Sequence, residues 1–265
     1  MASLIYYENT LPLVGITSVM SAIHSIITHR GTRVDMVDRP NWGMTCYMDN
    51  TIQSCEVDEE IYHETLVHPV MQCTTMRKRV MIIGGGEGAT LREVLKWPDV
   101  EQVDMYEWDK DIVDLFKTKY PQWAREAWTD PRLTLHYEDI FEAIQVHPIT
   151  PYNIVIVDLF DYSEETKDAW RVLMYHLPFW ANGSIVIYAG MRNVHNRQQS
   201  YHILSQMIRE YHDIYIIPYR VYIPSFMGES TFLLLKLRAT PIIFDQTIVS
   251  HITKEVWNSY KTFNW

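Results

Sequence analysis

The sequence predicts an α/β protein in which a small antiparallel β-domain precedes a Rossmann-like domain. Short strand-like segments separated by turn residues occupy residues 20–57, as in small antiparallel sheets. After residue 79, nearly continuous apolar strands alternate with helical segments, which is the pattern of a parallel sheet covered on both faces. A glycine-rich turn, GGGEG, joins the first of these strands to a helix. We therefore expect residues 1–65 to form the β-strand domain and residues 66–265 the Rossmann-like domain.

In the first domain, four segments have the composition of strands: HSIITHRG, TRVDMVD, GMTCYMDN and TIQSCEV. The pair Asp49–Asn50 lies between the last two segments and supplies the residues of a hairpin turn. Residues 58–71, DEEIYHETLVHPVM, are predicted to form a helix that begins at Asp58, because acidic residues lead the segment and apolar residues follow at roughly helical spacing.

The second domain is predicted to alternate between strands and helices. Because the carboxyl ends of parallel strands meet at one edge of a sheet, a ligand is expected at that edge. The strands are expected at residues 79–83, 102–108, 132–139, 152–160, 183–190, 213–223 and 231–237, and the helices at residues 89–97, 110–120 and 200–211.

Composition limits the possible functions. With 47% hydrophobic and 21% charged residues, the 265-residue chain is predicted to be folded rather than disordered. Its net charge of −10 argues against nucleic acid as a partner, since such binding depends on basic contacts to phosphate. We expect neither a membrane segment nor a signal peptide, because no stretch of about 18 apolar residues occurs. The three cysteines form no CxxC pair and no metal-ligand spacing is present, so we expect a cytoplasmic protein without a metal site.

The glycine-rich turn carries the strongest functional signal. Gly84, Gly85 and Gly86 follow a strand and precede a helix, where glycines permit a tight turn and a close approach of the backbone to a nucleotide-type ligand. Glu107 ends the next strand, at the usual position of a carboxylate that accepts hydrogen bonds from ribose hydroxyls. The alternative is a structural turn with a surface glutamate.

Glu87, inside this turn, indicates the charge of the ligand. A pyrophosphate at the start of the helix would face a carboxylate, and two like charges at short range are costly. A phosphate-free nucleoside with a positive charge fits better. S-adenosylmethionine has a sulfonium and an ammonium group, and its decarboxylated form has both and lacks the carboxylate.

Two further carboxylates, Asp158 and Asp161, lie at and just beyond the end of a central strand. With Glu87, Glu107 and Asp139 they would gather along the edge of the sheet and form a cavity for polycations. A carboxylate there can accept the proton of an amine that attacks a carbon atom, and a second carboxylate can hold a distal ammonium. The alternative roles are structural: a cap of the strand end for Asp158 and a turn cap for Asp161.

Five segments carry a family pattern: MDNTIQSCEVDEEIYHETLVHP (48–69), IIGGGEGATLREVLKWPDVEQVDMYEWD (82–109), DPRLTLHYEDIFEAI (130–144), YNIVIVDLFD (152–161) and IPSFMGE (223–229). Together they resemble the polyamine aminopropyltransferases, the family of spermidine, spermine and thermospermine synthases. The resemblance implies a Rossmann-like domain of the S-adenosylmethionine-dependent methyltransferase type. It also implies decarboxylated S-adenosylmethionine as a co-substrate rather than a tightly bound cofactor, a small cationic amine as the second substrate, and a homodimer or homotetramer.

The resemblance also implies roles for individual residues. Asp158 would be the base that binds the amine, and Asp161 its partner. Tyr62 and His63 would lie over the reacting carbon and the acceptor, whereas a histidine without this motif is more often an ordinary half-buried residue. The donor-side residues would be Glu107 at the ribose, Asp139 at the adenine amino group, Glu87 at the aminopropyl ammonium and Gln53 in the wall of the site.

The sequence departs from the family pattern on the acceptor side. Tyr162 stands where the family has proline, Phe226 where it has a tyrosine that helps to bind the acceptor amine, and Tyr188 where it has glutamine. The segment YSEETKDAW replaces a longer flexible flap. These departures favour one alternative, a catalytically inactive regulatory paralogue, whereas the presence of Asp158 and Asp161 opposes it.

A second alternative is an S-adenosylmethionine-dependent N-methyltransferase, or another S-adenosylmethionine-consuming enzyme, on the same scaffold. Its donor carries a carboxylate that needs a cationic partner and would be repelled by Glu87. Arg92, in the helix after the turn, is expected to face outward, so the sequence offers no evident partner. The acidic edge therefore favours the aminopropyltransferase.

Overall fold

A computed structural model describes residues 4–11, 14–146, 150–192, 200–237, 248 and 250–262. Within these residues the chain forms three sheets, of two, four and seven strands. The larger two correspond to the predicted β-domain and Rossmann-like domain, and the two-stranded sheet is a hairpin that the sequence analysis did not anticipate.

The amino-terminal part consists of two antiparallel sheets. The unpredicted hairpin pairs β1 (Leu4–Leu11) with β2 (Val14–Met20). The four-stranded sheet follows in chain order: β3 (Ala22–Ile27), β4 (Arg33–Arg39), β5 (Gly43–Met48) and β6 (Thr51–Cys55). Asp49 and Asn50 join β5 to β6 with φ angles of 49° and 64°, a left-handed conformation that suits these two residue types. The predicted hairpin turn is therefore confirmed.

Helix α1 (Glu59–Gln72) connects the small sheet to the central one. It is buried along nearly its whole length because it packs against both α2 (Ala89–Leu95) and strands of the central sheet. The helix begins directly after Asp58, as predicted, and the Asp58 side chain makes no cap hydrogen bond to it. The Asp58 carboxylate instead accepts hydrogen bonds from the Ser225 backbone N–H at 2.7 Å and hydroxyl at 2.8 Å. The predicted boundary after residue 65 lies inside α1, and it stays a prediction.

The central sheet consists of β7 (Arg79–Gly84), β8 (Gln102–Tyr106), β9 (Leu133–His136), β10 (Tyr152–Asp158), β11 (Ala181–Arg192), β12 (Tyr215–Ile223) and β13 (Gly228–Lys236). Its strand order is β12-β13-β11-β10-β7-β8-β9. The five strands from β11 to β9 run parallel, whereas β13 is antiparallel to both of its neighbours. The prediction of a parallel sheet thus holds for the part that carries the glycine-rich turn.

Helices cover both faces of this sheet. On β7, Ile82 belongs to the apolar layer that includes α1 and α2, and Ile83 belongs to the opposite layer. Continuous apolar strands thereby bury both of their faces. None of the helices described here is long and apolar enough to cross a bilayer. The remaining helices are α3 (Lys110–Lys119), α4 (Ile140–Ala143), α5 (Lys167–Trp180), α6 (Ser200–Tyr211) and α7 (Lys254–Lys261); α4, α5 and α7 were not predicted.

The carboxyl ends of β7, β8 and β10 form one edge of the sheet. Gly84, the last residue of β7, pairs with Asp158 at the end of β10. On the other side, Ile83 pairs with Tyr106 of β8. This register places the glycine-rich turn between the ends of β8 and β10. Glu107 directly follows β8, and Asp158 is the last residue of β10.

Candidate active site

A cavity of about 630 Å³ opens at this edge of the sheet, a size typical of small-molecule sites. It collects every residue that the sequence analysis singled out for catalysis or donor binding. These residues were expected to meet at the carboxyl edge of the sheet, and the structure brings them together there. Their individual roles stay predictions. They are Gln53, Tyr62, His63, Gly84, Gly85, Gly86, Glu87, Glu107, Asp139, Asp158 and Asp161.

The glycines of the turn allow the loop to lie directly on the neighbouring strand ends. Gly84 has φ +81°, and a Cβ there would be 2.1 Å from the Asp158 carbonyl oxygen. A Cβ on Gly86 would be 3.0 Å from Glu107 Oε2. Any larger residue would therefore push the turn away from both carboxylate-bearing strand ends. The tight turn that the sequence analysis expected is present, and the close approach of its backbone to a ligand stays a prediction.

Glu107 and Asp139 line the cavity next to the end of β8 and the start of α4. The Glu107 Oε1 accepts a hydrogen bond from the Asp109 backbone N–H at 3.0 Å. Burial raises the pKa of Glu107 to about 7, and the negative charges of Asp109 and Asp158 add to the increase. Asp139 caps α4, since its Oδ1 accepts from the Phe141 N–H at 2.8 Å. Both side chains line the cavity and could accept hydrogen bonds from a nucleoside.

His63 is not the half-buried residue that a lone histidine would suggest, since it is only 3% exposed. Its Nε2 lies 2.7 Å from Glu87 Oε1. Its Nδ1 lies 2.7 Å from the Glu59 carbonyl oxygen and 2.9 Å from Glu59 Oε2. Burial alone would lower the pKa of His63, but the two carboxylates raise it well above its ordinary value. Burial also raises the pKa of Glu87, and the positive charge of His63 opposes that increase.

Asp158 is held by two side-chain hydroxyls. Tyr62 donates to Oδ1 at 2.8 Å and Thr90 donates to Oδ2 at 2.6 Å. These contacts orient the carboxylate toward the cavity. A simple cap of the strand end would instead bind backbone groups. Asp161 faces the cavity with its side chain exposed, and the Tyr188 hydroxyl interacts with its carboxylate. The tyrosine at the position of the family glutamine thus contacts the second carboxylate.

The other two departures from the family pattern have different surroundings. Tyr162 is buried, and its hydroxyl donates to Glu164 Oε1 at 2.9 Å. Phe226 lines the cavity with its ring centre 6.1 Å from that of Tyr62. This part of the cavity therefore has an aromatic wall in which the hydroxyl of Tyr62 is already bound to Asp158.

Arg92 differs from the sequence prediction. It was expected to face outward, yet only 5% of it is exposed. Its Nη1 and Nη2 donate to Glu59 Oε1 and Oε2, each at 2.9 Å, and its Nε donates to Glu93 Oε1 at 2.8 Å. No local signal could reveal this arrangement, because Glu59 and Arg92 are 33 positions apart. The paired carboxylates compensate the buried charge.

Two groups of side chains have the donor atoms of a metal site. In the group Glu64, His68 and Glu93, the Glu93 carboxylate already binds Arg92, and Lys96 Nζ at 2.6 Å. The positive charges of Arg92 and Lys96 disfavour the binding of a metal ion beside Glu93. The other group, His29, Asp109 and Asp111, is not among the cavity-lining residues, and Asp109 caps α3. The expectation that the reaction needs no metal stays a prediction.

Strand order and the position of the cavity define a Rossmann-like protein of the methyltransferase type. Two solved structures share this fold over 98% of this chain and 92% of their own. They are spermidine synthase from Thermotoga maritima, with a TM-score of 0.84 and 22% identity, and a spermidine synthase in complex with the transition state analogue AdoDATO, with a TM-score of 0.86 and 21% identity. The predicted fold class is confirmed.

The sequence comparisons identify the family. Residues 59–245 match the model of the spermine/spermidine synthase domain. A polyamine aminopropyltransferase of Pyrobaculum calidifontis is 34% identical over 244 residues, which cover 87% of this chain and 82% of that protein. The chain belongs to the spermine/spermidine synthase family. The predicted family and the predicted class of enzyme, a transferase, are confirmed.

Proposed function

We propose that this protein transfers the aminopropyl group of decarboxylated S-adenosylmethionine to a di- or polyamine, putrescine or spermidine, and releases methylthioadenosine. One observation carries the proposal: the described lining of the cavity contains six carboxylates and no lysine or arginine. Such a wall favours ligands with several positive charges. The carboxylates are Glu87, Glu107, Glu138, Asp139, Asp158 and Asp161.

On the donor side, the nucleoside is a co-substrate that leaves after each turnover. Glu107 would accept from the ribose hydroxyls, and Asp139 from the adenine amino group, with Gln53 in the wall. One oxygen of Glu87 is bound by His63, and the other would accept from the aminopropyl ammonium. The AdoDATO complex of a related fold supports an adenosyl ligand in such a site.

In the transfer step, the amine nitrogen attacks the methylene carbon beside the sulfonium sulfur. A C–N bond forms as the C–S bond breaks, and the electron pair of that bond passes to sulfur, which leaves as a neutral thioether. Asp158 would accept the proton that the amine loses. Tyr62 and Thr90 hold both oxygens of Asp158 in place, and Asp161 would bind a distal ammonium of the acceptor.

One product analysis separates this proposal from the two alternatives. The protein is incubated with S-adenosylmethionine or its decarboxylated form, together with putrescine, spermidine or agmatine, and the products are identified by mass. Methylthioadenosine with an aminopropylated amine is expected. S-adenosylhomocysteine with a methylated amine would instead support an N-methyltransferase, and donor binding without turnover would support an inactive regulatory paralogue.

The Asp158→Asn variant tests the proposed base. Loss of the basic carboxylate should abolish turnover, while the affinity for the donor, measured by calorimetry, stays within about threefold because donor contacts are retained. Asp114→Asn is a matched control, since Asp114 pairs with Lys110 on the exposed face of α3. A fully active Asp158→Asn variant would contradict the proposed role.

We also propose a cytoplasmic homodimer or homotetramer. Free cysteines at Cys46, Cys55 and Cys73 support a reducing compartment. On the hairpin, Ile5 and Val19 form a cross-strand pair and are 63% and 55% exposed; such apolar exposure supports a subunit contact. Light scattering of the purified protein should give a dimer or tetramer. A monomer at micromolar concentration would refute the assembly.

A further inference from the structure

Two charged residues lie behind the cavity wall rather than among the residues that line the cavity. Glu59 is the first residue of α1, and Arg92 lies in α2. They are 7% and 5% exposed, respectively. A continuous series of contacts leads from them to the cavity: Arg92 binds Glu59 in a bidentate pair, Glu59 binds His63, and His63 binds Glu87. Only the last two residues of this series line the large cavity.

The contacts of His63 determine what the series holds. Both ring nitrogens face acceptor oxygens: Nδ1 lies 2.7 Å from the Glu59 carbonyl oxygen and 2.9 Å from its carboxylate, and Nε2 lies 2.7 Å from the Glu87 carboxylate. An ionised carboxylate only accepts hydrogen bonds, so both nitrogens carry a proton when both acids are ionised. The ring of Tyr62 packs edge-on against His63, with 5.0 Å between ring centres, and adds no charge. His63 is therefore a charged bridge between an acid of α1 and the acid of the glycine-rich turn.

We infer that Glu59 and Arg92 are positioning residues, which hold His63 against Glu87 and so fix the orientation of Glu87 in the donor site. The inference rests on the proposed function for the identity of the donor. Because His63 occupies Glu87 Oε1, a fixed ring leaves the second oxygen of Glu87 in one place to receive an ammonium group. The bidentate geometry of Arg92 prevents rotation of Glu59, which is the reason for an arginine rather than a lysine at this position.

Arg92 is itself held from its other side. Its Nε donates to Glu93, and Glu93 in turn binds His68 at 3.0 Å and Lys96 at 2.6 Å. Glu93 therefore shares the burial and the helix of Arg92, but none of these contacts joins it to His63. This difference supplies a matched control, because Glu93→Gln removes the same charge one contact further from the cavity.

The test compares Glu59→Gln with Glu93→Gln in the full chain, with ¹⁵N-labelled histidine and without donor. In the wild type and in Glu93→Gln, the ¹⁵N shifts of His63 should be those of an imidazolium between pH 6 and 8. In Glu59→Gln the imidazolium should convert to the neutral ring at a lower pH than in Glu93→Gln, because one of the two carboxylates beside it is gone while Glu87 remains. This spectrum does not depend on turnover, so it tests the positioning even if the proposed function fails. An identical His63 signature in both variants would overturn the inference.

Donor binding supplies the second measurement. Calorimetry with decarboxylated S-adenosylmethionine should give an affinity about tenfold weaker for Glu59→Gln, because Glu87 is no longer fixed, and an affinity near that of the wild type for Glu93→Gln. If Glu59→Gln does not fold, Arg92→Lys replaces it: the charge remains but the bidentate pair is lost, and the affinity should fall about threefold to tenfold. Wild-type affinity in a folded Glu59→Gln or Arg92→Lys variant would contradict the positioning role.

Discussion

Acidification should weaken nucleoside binding through one carboxylate, Glu107. This side chain is 7% exposed and its Oε1 already accepts from the Asp109 N–H. The turn at Gly86 packs against Oε2, so little room remains for water to solvate the charge. Burial accordingly raises the pKa of Glu107 to about 7. In the proposed donor complex two ribose hydroxyls donate to Glu107, which requires the ionised form, and a proton on Glu107 therefore competes with the ligand.

The size of the effect follows from this pKa. Below pH 7 the ionised fraction of Glu107 falls about tenfold per pH unit, and at pH 5 only about 1% is ionised. If the neutral form binds negligibly, the dissociation constant at pH 5 is about 100-fold higher than at pH 8, or about 2.7 kcal/mol. Above pH 8 the affinity should be constant.

Calorimetric titration with methylthioadenosine is the appropriate assay, because this product has neither the sulfonium nor the ammonium of the donor. Glu107→Gln is the control: its affinity should be weak and nearly independent of pH from 5 to 8. The reasoning is refuted if the wild type binds equally at pH 5 and pH 8. It is also refuted if Glu107→Gln retains the wild-type slope, since another group would then be responsible.

Three further outcomes are expected. The folded-state pKa of Glu107 lies above its unfolded value, so ionisation destabilises the ligand-free protein as pH rises from about 4.5 to 7. In urea unfolding at pH 8, Glu107→Gln should therefore be more stable than the wild type by up to about 3 kcal/mol. At pH 4 the two proteins should have nearly the same stability. Gly84→Ala should cost at least about 3 kcal/mol in the same assay, whereas Gly31→Ala, at φ +88° with no atom within 4 Å, should cost about 1 kcal/mol. Tyr62→Phe removes the hydrogen bond to Asp158 and should lower kcat about tenfold or more, while the KM for the donor stays unchanged. A change in the donor KM as large as the change in kcat would contradict an acceptor-side role.

The central part of the fold was predictable because its signals are local. The apolar run that ends at Gly84 and the acidic residue at the end of the next strand are each contained within a few positions. The hairpin β1–β2 lacked such a signal. Its apolar residues Leu4, Ile5 and Tyr7 are all exposed, so the segment does not show the alternation of buried apolar and exposed polar residues that marks a strand. The antiparallel position of β13 was equally hidden, since a strand buried on both faces has the same apolar composition in either direction.

The candidate site was predictable where the motif and the sheet edge coincide. Glu87 and Asp158 reach the cavity because they end or follow neighbouring strands, and strand order brings such positions together. Glu59 and Thr90 were missed, because their contacts with His63 and Asp158 depend on how α1 and α2 pack. Helix packing joins residues that are far apart in the chain, and a single sequence contains no record of those pairs.

Arg92 is a buried cation behind Glu87 and hence a candidate partner for the carboxylate of S-adenosylmethionine. The contacts exclude that role. All three donating nitrogens of Arg92 described above are bound to Glu59 and Glu93, and no lysine or arginine is among the described residues that line the cavity. The one cation at the wall, His63, has carboxylates on both of its nitrogens. A donor that retains its carboxylate would therefore lose the hydration of that group without gaining a partner. Decarboxylation of the donor is the chemical difference to which this site should respond most strongly.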